Sequence, residues 1–160
     1  MGIKVKKKKI KAFETQIYYH SMLKDVKKNF GTDLKRSIAD EIGKVILSGT
    51  SPVKGKQFKQ YTEKYGNKKY GGPRKPVNML DSGKMLESLT VKQNRAGDLI
   101  IWFKDKKKAA AHHFGLGHLK GYKRRLLPTN SNEQFKEGLM KKILAVLKKA
   151  VKKSIIKAKR

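Results

Sequence analysis

Few side chains in this sequence have the types and spacing for bond-making chemistry. His112, His113 and His118 invite a metal site, because imidazole is a common ligand of transition metals. Adjacent residues on a helix point in different directions, so His112 and His113 are poorly placed to share an ion. No carboxylate or thiol completes the set nearby, and a packing or interface role suits them better. Asp40-Glu41 is followed by Lys44 on the same segment, where a solvated ion pair is the simpler role than acid–base work. Gly115-Leu116-Gly117 is too short to cradle a phosphate, no P-loop is present, and a serine near a histidine is not a triad. The absence of cysteine excludes disulfides, thiolate catalysis and zinc–thiolate sites. The expectation is therefore no enzyme, no cofactor and no metal.

Cationic chemistry is abundant instead. The 160 residues carry 41 Lys plus Arg against 12 Asp plus Glu, for a net charge of +29, and six of the 41 are arginine. Taking about 25 Å between charges, roughly 400 like pairs repel by about 70 kcal/mol in unscreened water and about 3 kcal/mol at physiological salt. Domain stability is about 5–15 kcal/mol, so the chain can fold in salt, yet an anionic partner should stabilise it. Lysine on its flexible stem gives sequence-blind attraction to phosphate, whereas bidentate base readout would favour arginine. Tyr61, Tyr65, Tyr70 and Tyr122 are interleaved with lysines and glycines. That mixture suits either stacking on single-stranded bases or anchoring on a protein neighbour, and their place in a loop favours the neighbour.

The elements that must position these residues follow from periodicity. Residues 1–11, with Lys6, Lys7, Lys8 and Lys9, form a basic arm that orders on a partner, although Ile3 and Val5 alternate as in a short strand. Residues 12–160 read as one α+β domain. Phe13, Ile17, Leu23, Val26 and Phe30 predict a helix over 12–30 that Gly31 ends. Thr32 or Asp33 then caps a second helix with Leu34, Ile38, Ile42, Val45 and Ile46 on its apolar face. Residues 49–79 show no periodicity and predict a long basic loop, and Asp81-Ser82-Gly83 a turn or cap. Met85, Leu86 and Leu89 form a helical turn leading into a hairpin of residues near 88–94 and 98–104, closed by Asn94-Arg95-Ala96-Gly97. Apolar residues on both faces of the second strand predict cover on both sides in an assembled state. A short helix over 106–114 stops at Gly115, and a second irregular loop spans 115–128. Ser131 and Gln134 read as a capping box for a long basic amphipathic helix whose apolar face runs from Phe135 to Ile155. Such a helix could lie on a membrane surface, but core packing is favoured. No apolar run approaches the ~18 residues of a membrane span, and the basic N-terminus lacks the apolar segment of a signal peptide.

The order of these segments resembles a known family. Gly49-Thr50-Ser51-Pro52-Val53-Lys54-Gly55 with Phe58 and Tyr61 is followed by the run from Lys75-Pro76-Val77-Asn78-Met79 through Leu89. A hairpin, Ala111-His112-His113-Phe114-Gly115, the corner Arg125-Leu126-Leu127-Pro128 and a final amphipathic helix complete it. Over about residues 34–150 this pattern is similar to the tailed-phage virion morphogenesis proteins, the tail-completion or neck group that includes minor tail proteins. The resemblance implies an α+β fold and a non-catalytic virion protein of the head–tail junction, assembled in the host cytoplasm as a homo-oligomeric ring. Its expected partners are connector, portal or tail proteins and double-stranded DNA in the channel, not a membrane. In that setting Lys6, Lys7, Lys8, Lys9, Lys54, Lys56, Lys68, Lys69, Arg74, Lys75, Lys120, Lys123 and Arg124 are candidates to touch DNA or an acidic partner. Tyr61, Tyr65, Trp102, His112, Arg125, Leu127 and Pro128 are candidates for subunit contacts. The charge alone supports a rival equally well, a sequence-independent nucleic-acid-binding protein.

Overall fold

The computed structural model describes residues 14–17, 31–72, 77, 79, 83–94, 98–129 and 133–158. The basic arm, most of the segment 12–30, Asp81-Ser82, Ser131 and the candidates Lys6 to Lys9, Arg74 and Lys75 lie outside them, as do the side chains of Lys69 and His118. Within the described residues the fold is α+β, as the periodicities predict. Its elements are β1 (Glu14–Ile17), α1 (Thr32–Leu47), α2 (Glu63–Tyr70), α3 (Lys84–Glu87), β2 (Leu89–Gln93), β3 (Leu99–Phe103), α4 (Lys106–Phe114) and α5 (Glu137–Ala158), with a 3-10 turn at Gly117–Leu119.

The hairpin forms where alternation places it. Asn94 closes it by accepting the Asp98 N–H on Oδ1 at 2.9 Å, while its amide donates to the Asp98 carboxylate at 3.0 Å. β3 is the middle of a three-stranded sheet in the order β1-β3-β2, antiparallel throughout. The predicted first helix is corrected at residues 14–17. These pair as a strand, with Glu14 opposite Trp102 and Ile17 opposite Leu99. A ladder to a distant strand satisfies their backbone polar groups, and local spacing could not reveal it.

Leu89, Val91, Leu99, Ile101 and Phe103 all point into the core, as the period of two requires. α1 lays Leu34, Ile38, Ile42 and Ile46, one residue per helical turn, against β2 and α5. No side chain caps α1; Gly31 occupies the position before Thr32 in an extended conformation. Phe135, at the entry of α5, and Leu139, Ile143 and Leu147 on it join the same cluster, so this part of the apolar stripe is core; the side chains of Val151 and Ile155 lie outside the described residues. Residue 134 is not helical and α5 begins at Glu137, so the predicted capping box does not start the helix. Lys136 N–H instead ties the entry of α5 to the Pro52 carbonyl at 2.9 Å. The buried cluster closes within one copy of the chain. Ile100 and Trp102, on the other face of β3, are only half-buried, and Lys92 Nζ lies 4.9 Å from the centre of the Trp102 ring.

The expectation of an unbroken loop over 49–79 is corrected by α2. Thr62 caps it, its hydroxyl accepting the Tyr65 N–H at 3.3 Å, and Gly71 ends it at φ 68°. α4 is where the sequence places it: Asp105 accepts the Lys108 N–H at 3.2 Å and Gly115 turns the chain at φ 69°. A Cβ at Gly115 would lie 3.1 Å from the Leu119 carbonyl oxygen and 3.3 Å from the Lys123 nitrogen. Gly115→Ala should therefore lower stability by about 2 kcal/mol, checked by urea unfolding; an unchanged midpoint would contradict this geometry.

Candidate functional site

Two of the irregular basic segments meet. Lys59 Nζ lies 4.6 Å from the centre of the Tyr122 ring, and Arg124 Nη2 donates to the Lys59 carbonyl at 3.4 Å. Just beyond, the buried Ser51 hydroxyl donates to the Arg125 carbonyl at 2.8 Å and accepts the Lys54 N–H at 3.0 Å. This joins the loop after α1 to the corner before α5. α2 gathers the tyrosines: the ring of Tyr61 is 5.1 Å from that of Tyr65 and 6.0 Å from that of Tyr70.

A cavity of about 190 Å³ opens at this junction. Tyr61, Tyr65 and Tyr122 form aromatic walls, Met79 and Leu119 apolar ones, and Thr62, Lys108, His112 and Arg124 supply polar groups. Arg124 is 1% exposed. Its guanidinium carbon lies 5.2 Å from the Tyr61 ring centre and 5.7 Å from that of Tyr122. Its Nη1 is 3.5 Å from His112 Nδ1, and Nε has no hydrogen-bond partner. Among the described residues no carboxylate pairs with it. Burial pushes the guanidinium down from its usual value, while the phenols of Tyr61, Tyr122 and Tyr65 act in the opposite direction. A buried cation held by ring faces and long hydrogen bonds lacks the counter-charge that normally offsets desolvation.

The neighbouring corner is saturated internally. His113 is fully buried; its Nδ1 accepts the Leu126 N–H at 3.2 Å. The Arg125 Nη1 approaches its Nε2 at 2.8 Å, and Arg125 Nη2 pairs with Glu133 at 3.4 Å. Glu133 also accepts the Thr129 N–H at 3.0 Å.

This arrangement draws four candidates, Arg124, Arg125, Leu127 and Pro128, wholly or partly inward. Arg124, expected to touch DNA or an acidic partner, lies under tyrosine rings and is 1% exposed. Leu127 and Pro128, expected at a subunit contact, are buried, Leu127 completely. Their neighbour Leu126 is held by His113, which draws the corner inward. Arg125 is half-buried and committed to Glu133. Lys54, Lys56, Lys68, Lys120 and Lys123 are exposed, as an electrostatic contact needs. Tyr65 is 41% exposed; Tyr61, Trp102 and His112 are half-buried. Lys44 pairs with Glu41 at 2.6 Å, and that hydrogen bond and charge raise the ammonium pKa.

Comparison of the chain with protein-family models, with curated proteins and with solved structures gives no match. Function is therefore read from the residues themselves. Among the described residues no three metal-ligating side chains gather, and no helix is long and apolar enough to cross a membrane. Sequence reasoning missed Lys108, Leu119 and Met79 as neighbours of the tyrosines. The available signal was the four-residue spacing of Tyr61 and Tyr65 beside Thr62, a capping residue.

Proposed function

We propose that this chain is a structural, non-catalytic virion protein of a tailed phage, forming a ring at the head–tail interface around the DNA path. The observation that carries this reading is the separation of charge from fold. Every lysine whose side chain is described is exposed or half-buried, and the ion pairs they make, such as Lys44–Glu41 and Lys141–Glu137, lie on the surface. Copies closed around a polyanion would gather these cations, and non-specific lysine contacts would hold a duplex without fixing its register. The half-buried Trp102 and Ile100 give the sheet a face that a neighbouring copy can cover. Contacts within such a ring are heterologous, head to tail. Connector, portal or tail proteins would flank it, and the virion would be its final location.

A second reading, a free sequence-independent nucleic-acid binder, draws support from the core closing in one copy. Electron microscopy of the purified full chain, alone and with duplex DNA, separates the two. Closed rings, with tight DNA binding only in the ring, support the neck reading. A persistent monomer whose duplex affinity falls about 10³-fold or more between roughly 50 and 200 mM salt, and which mass spectrometry does not find in particles, overturns it.

A further inference from the structure

We infer that the cavity between Tyr61, Tyr122 and Arg124 is a receptor for a carboxylate carried on a short slender stem, the acidic side chain of a partner protein. This goes beyond the ring reading and stands independently of it.

The central observation is a charged side chain without its counter-ion. Arg124 is 1% exposed, its Nε is unpaired, and its side-chain contacts with His112 Nδ1 and the Lys59 carbonyl are long, at 3.5 and 3.4 Å. Arginine offers five N–H donors in a rigid fork that matches the two oxygens of a carboxylate. Lys108 lines the same cavity and adds a second positive charge, while none of the lining residues is acidic. An anion is the one class of ligand that both groups favour.

The shape selects among anions. The cavity offers about 190 Å³ and is partly open to solvent, room for a side chain inserted from a partner's surface. A duplex phosphate is fixed on a rod with grooves about 6–12 Å wide and cannot follow a guanidinium beneath tyrosine rings. Aromatic and apolar walls from Tyr61, Tyr122 and Leu119 suit the methylenes of a glutamate stem better than the hydration shell of inorganic phosphate. Charge-assisted bidentate bonds to a guanidinium are among the stronger polar contacts, and a low local dielectric strengthens them.

The test follows the Arg124 Nε–H signal by nuclear magnetic resonance in the full chain, assigned with Arg124→Lys. The probe is acetyl-Gly-Glu-Gly-amide, with acetyl-Gly-Gln-Gly-amide, inorganic phosphate and a short duplex DNA as comparison arms. A saturable shift with the glutamate peptide, at least about tenfold weaker with the glutamine peptide, is expected. Lys108→Ala, on a half-buried side chain, should weaken glutamate binding severalfold while Lys148→Ala, at an exposed position on α5, leaves it unchanged. Lys108→Ala carries the test even if Arg124→Lys fails to fold, the signal then being assigned by triple-resonance experiments. Equal response to the glutamate and glutamine peptides, or no response at about 10 mM peptide, overturns the proposal. So does an Arg124 response confined to phosphate or DNA.

Discussion

Lowering the pH from about 7 to about 5 should remove roughly 2 kcal/mol of stability through His113 alone. The imidazole is fully buried, with Phe114 at 4.5 Å between ring centres. Burial, and then the positive charge of Arg125, lower its pKa from 6.5 to about 3. The groups that face it are the Arg125 guanidinium and the Thr129 hydroxyl, with the Glu133 carboxylate held behind them. In the unfolded chain the ring takes up a proton near pH 6.5, whereas in the folded chain it does not until about pH 3. The stability gained by keeping it neutral is therefore complete above about 6.5 and falls away as the pH drops towards 3. Urea unfolding at the two pH values measures the loss. His113→Gln, with a shallower pH slope, separates this group from the other histidines. A His113 ring resonance that titrates with a midpoint near 6.5 in the folded protein would remove the basis of the prediction.

Ile42→Ala should cost about 2–5 kcal/mol. Ile42 is fully buried in the middle of α1, which packs on both α5 and β2. Removing its outer carbons loses their transfer from water and leaves a void that rigid helices cannot fill. Ile100→Ala, on the half-buried face of β3, should cost under about 1.5 kcal/mol in the isolated chain. The contrast also tests whether a single copy completes its own core. If it does, both values are independent of protein concentration; a stability that rises with concentration would mean that neighbouring copies supply part of the interior.

The parts of the fold legible in the sequence are those whose cause is local. α1 shows in the four-residue spacing from Leu34 to Ile46, the hairpin in the alternation of Leu99, Ile101 and Phe103, and α4 in a short run ended by Gly115. β1 was illegible because Glu14–Ile17 pair with a strand more than eighty residues away, while Phe13, Ile17 and their successors mimic a helical stripe. α2 was illegible because its residues, EKYGNKKY, carry no aliphatic face; a cap, tyrosine packing and a left-handed glycine define it instead. For the site, the tyrosines and basic loops could be named from their types. That they surround one buried arginine could not, because Arg124 and Arg125 are adjacent in sequence and only contacts with His112, His113 and Glu133 decide which faces inward.

The two adjacent guanidinium groups, one fully and one partly buried, are held by internal contacts, while the described ammonium groups are exposed or half-buried. Replacing a single exposed lysine should then change the surface potential with little effect on folding. Arg124 and Arg125 have no such freedom, because each is fixed by the particular shape that surrounds it.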